Sequence, residues 1–254
     1  MNGFSRRGRN MQFLKLLIIA VAGLAAIAAG IAFAQKATPK VVTFPLDRLE
    51  LEHPRNVKTE VVTFRGKKAL RVTDTTPVDV ADGIQLVLLD NIDFKDGTIE
   101  VLMSGVPKSD STSSAPRGFV GIAFRLSLDP KTDVPKYDGF YLRPTNGRSD
   151  DQLRRNHATQ YISYPDRPWF KLRKENPGLY ESYADMEAGP WIKVKVEVHD
   201  KKANLYVGDS SQPSLVVNDL TQEKGSIALW VGTDTVAHFA DLRVTPSRLS
   251  LTGN

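Results

Sequence analysis

Cysteine is absent from all 254 residues. The chain therefore has no disulfide framework, no thiolate zinc or iron–sulfur site and no cysteine nucleophile. Acidic residues are also missing at the start: no Asp or Glu occurs before residue 35, whereas Arg6, Arg7, Arg9 and Lys15 do. Setting those four aside leaves 30 basic against 29 acidic residues, so most of the formal +5 belongs to the leader. The remainder lacks the net basic footprint that nucleic-acid binding needs. There is no phosphate-cradling Gly loop, no dinucleotide fingerprint and no G-x-S-x-G elbow, which removes nucleotide, dehydrogenase and serine-esterase readings. The four histidines, His53, His157, His199 and His238, show neither H-x-H nor H-E-x-x-H spacing, so no histidine metal site is expected. What is there is 41% hydrophobic and 25% charged, with 18 Gly and 15 Pro, which excludes collagen-like and wholly disordered classes.

The start reads as an export leader. Arg6 to Lys15 is positive, Leu16 to Ala34 is an uninterrupted apolar run, and Ala32-Phe33-Ala34 before Gln35 is a small-x-small cleavage pattern. The run has 19 residues, just enough to cross about 30 Å of hydrocarbon. Residues 1–34 are thus a signal peptide or, if uncleaved, a membrane anchor helix, with Met11 an alternative start. Residues 35–40 form a short tether, 41–247 the exported domain and 248–254 a tail. The expected location is periplasmic or secreted, with membrane contact only through residues 16–34.

Beyond the tether the apolar period is two almost throughout. Ile99, Val101 and Met103 alternate with Thr98, Glu100 and Leu102; Ile192, Val194, Val196 and Val198 alternate with Lys193, Lys195 and Glu197. Val120 to Leu126 and Ile227 to Val231 repeat the pattern. Further strands are expected at Val57 to Phe64, Ala69 to Thr73, Ile84 to Leu89, Phe140 to Arg143, Gln160 to Tyr164, Ala203 to Val207, Leu215 to Val217 and Phe239 to Thr245. Helical character is confined to Asp150 to Asn156 and Glu181 to Ala188. About a dozen strands without helices to cover them must stack sheet on sheet. The expected class is all-β, an antiparallel two-sheet β-sandwich or jelly roll, with an up-and-down barrel as the alternative. Thr145 to Gly189 interrupts the strands and is expected to be a functional excursion.

The closing strands, Trp191-Ile-Lys-Val-Lys-Val-Glu-Val-His, Ala203-Asn-Leu-Tyr-Val, Leu215-Val-Val-Asn-Asp-Leu, Gly225-Ser-Ile-Ala-Leu-Trp and Phe239-Ala-Asp-Leu-Arg-Val, resemble the ending of concanavalin A-like lectin and glucanase domains. Asp96-Gly-Thr-Ile-Glu-Val and Gly118-Phe-Val-Gly-Ile-Ala-Phe-Arg fit the same order. Within that superfamily the chain looks most like laminin-G-like modules and exported 3-keto-disaccharide hydrolase-like domains. The resemblance covers Val41 to Pro246 and implies a carbohydrate-facing protein. The Glu, Asp, Glu alternation that retaining glucanases need is absent.

If the apolar positions face the core, the opposite face receives Glu100, Arg125, Tyr137, Tyr141, Arg143 and Trp230. Aromatic planes cover the C–H faces of sugars and Arg or Glu bonds their hydroxyls, so these six, with Asn146, Arg148, Gln160 and Tyr161, are the candidate ligand-binding set. The bland alternative is a satellite cluster packed under the excursion. Glu100 and Glu187 are candidate acid/base groups for glycoside cleavage, with Arg143 positioning substrate. Between Arg143 and Lys174 stand eight Lys/Arg against three Asp; they suit an acidic polysaccharide or else pair with Asp150, Asp151, Glu175 or Glu181. Arg143, His157, Gln160 and Tyr161 are the residue types of a polysaccharide lyase, without that family's motifs. No cofactor is expected; a structural calcium ion would use Asp129 and Asp133, or Asp150 and Asp151. The readings carried forward are a glycan- or small-saccharide-binding protein, a glycoside-cleaving enzyme and a laminin-G-like protein-interaction module.

Overall fold

The computed structural model describes residues 41–47, 52–77, 83–89, 92–113 and 116–247. The expected leader, the tether and the tail lie outside the described residues. Among the described residues no helix is long and apolar enough to cross a membrane.

In chain order the strands are β1 (Val42–Thr43), β2 (Glu52–Arg55), β3 (Val57–Phe64), β4 (Lys67–Asp74), β5 (Leu86–Leu89), β6 (Gly97–Pro107), β7 (Val120–Leu128) and β8 (Pro135–Leu142). There follow a 3-10 turn (Pro144–Asn146), helix α1 (Gln152–Asn156), β9 (Thr159–Tyr164), helix α2 (Trp169–Glu175) and β10 (Glu181–Ser182). The chain closes with β11 (Ile192–His199), β12 (Lys202–Val207), β13 (Leu215–Val217), β14 (Ser226–Val231) and β15 (Thr235–Pro246).

Two antiparallel sheets result. The first runs β13-β12-β11-β6-β15-β4-β3, with β1 added on β15; the second runs β10-β9-β8-β7-β14-β5-β2. Alternation in the sequence becomes alternation of faces: along β11 the four apolar residues are buried and those between them are exposed or half-buried. Ile99, Val101, Met103, Val196 and Phe239 from the first sheet meet Val120, Ile122, Phe124, Phe140 and Leu229 from the second in one core, the way two sheets bury their apolar faces. This is the expected sandwich; two separate sheets with their own edges replace the barrel alternative.

A second cluster covers the other face of the second sheet. Leu86, Ala123, Tyr137, Tyr141, Ile162, Ala228 and Trp230 are among its members, all but Tyr137 next in sequence to a residue facing the main core. Both faces of that sheet are therefore covered.

Three expectations need correction. Glu181 to Ala188 is not a helix: Glu181 and Ser182 pair with Gln160 and Thr159 as β10, because the edge of β9 offers ladder partners that a short helix cannot match. Helix α2 was not foreseen; it opens after Pro168 and closes at Asn176. The excursion from Thr145 to Gly189 is not wholly irregular, since it adds two strands to the margin of the second sheet.

Candidate functional site

Five of the sequence-derived site residues come together on the outer face of the second sheet. The Tyr141 ring stacks on Trp230 with centroids 4.6 Å apart. Trp230 Nε1 donates to Tyr137 Oη at 2.9 Å, and Tyr137 Oη donates to the Gly83 carbonyl at 2.9 Å. Arg143 donates to Tyr141 Oη at 2.8 Å, to Gln160 Oε1 at 3.2 Å and to the His157 carbonyl at 2.8 Å. Its guanidinium carbon lies 4.9 Å from the Tyr141 ring centroid. Strand parity thus puts Arg143 and Trp230 on one wall.

The wall is not open. Trp230 and Tyr141 are each 2% exposed and Tyr137 is fully buried. Phe119, Tyr164 and Trp169 pack against the cluster, and Gly83 sits so close to the Tyr164 ring that a Cβ there would collide with it. Two of those covering rings, Tyr164 and Trp169, come from the excursion. Aromatic planes closed in this way pack on one another rather than on a sugar.

The other expected members are elsewhere. Glu100 lies on β6 of the first sheet, registered beside Lys195 and Arg243. Arg125 sits on a β-bulge in β7, where the register shifts between Phe124 and Ser127 and its φ is 54°. One extra residue reverses parity, and Arg125 turns to the end of the sandwich. There it donates to the carbonyls of Lys95, Gln222 and Asp200 and to Asp96 Oδ1. Tyr161 faces the core and donates to Asp138 Oδ1 at 2.7 Å; burial, then the Asp138 charge, pushes its phenol far above the ordinary value. Asn146 is buried below α1 and donates to the His157 carbonyl at 3.4 Å. Arg148 is half-exposed and pairs with Asp185 and with Glu187, so the Glu187 carboxylate is already engaged.

Of the acidic pairs considered for calcium, Asp129 bonds Lys136 and two backbone N–H groups, and Asp133 pairs with Arg55. Asp151 caps α1 by accepting from Leu153 N and Arg154 N, as N-cap carboxylates do. No group of three or more His, Cys, Asp or Glu able to hold a metal occurs among the described residues.

A concave site lies at the margin of the second sheet. A cavity of about 600 Å³ is lined by Leu153 and Asn156 of α1, His157, Arg173 of α2, the Pro177-Gly178 turn, Glu181 and Ser182 of β10, and Tyr183. At its floor the Glu181 side chain is 3% exposed. Arg173 grips it from Nε, 3.0 Å from each oxygen, and from its terminal nitrogen at 2.6 Å. His157 Nε2 lies 3.2 Å from Glu181 Oε1. Burial lowers the His157 pKa from its ordinary value, the Glu181 charge opposes this, and Arg173 and Arg143 add to it. The imidazole is then neutral near pH 7, with one ring nitrogen a donor and the other an acceptor. Tyr183 is 48% exposed. A second cavity, of about 500 Å³, runs from Tyr183 past Asp185 to the Gly208 to Ser214 turn. Tyr183 therefore stands on the border of two concavities.

Of this constellation the sequence had offered His157, only as a lyase-type group, and Glu181, only as an ion partner. Arg173, Tyr183 and Leu153 were missed. The available signal was Tyr183 a few residues after the Asn176-Pro177-Gly178 turn, but exposure is not written in residue type.

No protein-family model and no curated protein matches the sequence. Among solved structures, a Bacillus subtilis protein of unknown function with a galectin-like fold aligns at TM-score 0.51 and 12% identity, covering 80% of this chain and 94% of that one. A Bacillus subtilis CBM66 carbohydrate-binding module aligns at 0.45 and 14%, covering 76% and 97%. A putative glycosyl hydrolase from Parabacteroides distasonis ATCC 8503 aligns at 0.49 and 10%, covering 81% and 99%. At 12% identity the likeness to the first of these shows the fold alone: the chain has a galectin-like antiparallel β-sandwich. Fold does not carry function, and the site must.

Proposed function

We propose that this chain is an exported glycan-binding protein whose saccharide lies across Tyr183. The observation that carries this reading is a half-exposed aromatic ring shared by two cavities, beside Asn156, Arg173 and neutral His157. An aromatic plane covers the apolar face of a sugar ring while amide, guanidinium and imidazole nitrogen bond its hydroxyls. Two concavities flanking one ring suit two adjoining sugar units. The leader pattern supports an exported location, and the fold agrees with the resemblance to carbohydrate-facing domains. Binding is favoured over cleavage because Glu181, the carboxylate in the cavity, is held by Arg173, Glu187 pairs with Arg148, and Glu100 lies on the first sheet, outside the cavity lining.

The test is calorimetric titration of the full chain with a panel of neutral oligosaccharides, repeated on Tyr183→Ala. The expected result is binding of at least one oligosaccharide that weakens tenfold or more in the variant, with the thermal midpoint unchanged. A variant that binds like wild type, or a panel with no binder, overturns the reading; release of new reducing ends replaces it with glycoside cleavage.

A further inference from the structure

Most arginines of the excursion have acidic partners. Arg148 pairs with Asp185 and Glu187, Arg167 with Asp219, and Arg173 with Glu181. Arg154 and Arg155, and Arg117 before the excursion, pair with no carboxylate among the described residues; Arg155 is bonded to the Ser149 carbonyl and to Gln152 Oε1. Arg117 donates only to the carbonyl of its neighbour Pro116, at 3.4 Å. Arg154 reaches Asn146 Oδ1 at 3.4 Å, a long contact, and its Nε is buried without a partner. Between them Thr145, whose N–H donates to the Arg117 carbonyl, buries an Oγ1 that also lacks a partner. Arg143 adds a third positive charge to the group. Burial, then the charges of Arg154 and Arg143, lowers the Arg117 pKa from its ordinary value.

Three like charges close together, with a donor nitrogen and a hydroxyl left unsatisfied, cost stability that an anion would return. Guanidinium groups match planar oxyanions through paired N–H donors. The cluster also adjoins the cavity through one residue. The His157 ring lines the cavity, while its carbonyl accepts from Arg143 and Asn146.

We infer that Arg117, Arg154 and Thr145 form a site for the anionic group of an acidic saccharide, a carboxylate or a sulfate ester, next to the cavity at Tyr183. This deepens the glycan-binding reading and rests on it for the saccharide, but not for the anion.

The experiment titrates the full chain at low and high salt with an oligogalacturonate, a heparin oligosaccharide, inorganic sulfate and a neutral oligosaccharide of matched length. The same titrations are made on Arg117→Gln/Arg154→Gln and on Tyr183→Ala. An acidic oligomer should bind at least tenfold tighter than the neutral one at low salt, and the double variant should abolish that preference while leaving neutral binding unchanged. Without ligand the double variant should melt no lower than wild type, since like charges have been removed. The stronger of the uronate and heparin arms identifies the anionic group. Equal binding of acidic and neutral oligomers, or a preference that survives the double variant, overturns the inference. Anion binding that depends on the two arginines but is indifferent to Tyr183→Ala upholds the anion site and overturns the cavity reading instead.

Discussion

Tyr141 stacks on Trp230 with ring centroids 4.6 Å apart and planes at 18°, on the outer face of a sheet and out of reach of solvent. The pair is packing, as its hydrogen bonds also indicate: Trp230 Nε1 is satisfied by Tyr137, whose hydroxyl is passed on to the Gly83 carbonyl. Trp230→Ala should then destabilise the chain by about 3–5 kcal/mol, the usual cost of deleting a buried large aromatic ring. Urea unfolding measures it. A loss below about 1 kcal/mol would return the two rings to the candidate ligand set.

Arg125 is a tie between four segments. Its side chain is 2% exposed, yet it satisfies three backbone carbonyls and one carboxylate. Replacing it by Met keeps much of the volume and strands those acceptors, so a cost of about 3–5 kcal/mol is expected. Arg125→Lys should recover only part, since an ammonium group has three donors and no planar fork. Chemical denaturation of both variants checks the order, and a neutral Met substitution would contradict the tie.

His238 makes stability depend on pH. Its ring stacks on Phe64 at 3.7 Å, and burial together with the nearby Arg71 charge depresses its pKa to about 4. Glu60, on β3 across from Arg71 on β4, pairs with that arginine. The unfolded chain takes up this proton near pH 6.5, whereas the folded one does not until about pH 4. Proton uptake therefore favours unfolding, and stability falls as pH drops through that window. The contribution lost between pH 7 and pH 5 is about 1–2 kcal/mol. Thermal melts at both pH values should show a smaller difference in His238→Gln than in wild type. Equal differences would place the His238 pKa near its ordinary value.

The face that a side chain takes was legible wherever a strand was regular. Odd and even positions sorted Phe140 from Tyr141 and Leu229 from Trp230, and so brought Arg143 and Trp230 to one wall. Parity failed at Arg125, because a bulge adds one residue and leaves no mark in a run of alternating types. It also says nothing of what lies above a face. Tyr137 and Trp230 are closed over by Gly83, Phe119, Tyr164 and Trp169, which are distant in sequence, and aromatic residues suit a packed layer as well as a sugar platform. Glu181 was misread for a related reason: its strand depends on pairing with Gln160, a long-range partner that local helix signals cannot weigh.

The Glu181–Arg173 pair offers a measure of how firmly the cavity floor is set. Glu181 is buried, Arg173 is about one-third exposed, and three short contacts join them. Removing the carboxylate leaves a guanidinium that can rehydrate in part, whereas removing Arg173 leaves a carboxylate that cannot. Arg173→Gln should therefore cost more stability than Glu181→Gln, about 3 against about 2 kcal/mol. The double variant should cost less than the sum of the two. A double-mutant cycle by urea unfolding should return a coupling of about 1–3 kcal/mol. If the two costs instead simply add, the floor is not held by this pair, and Tyr183 would have no fixed polar partners against which to orient a sugar.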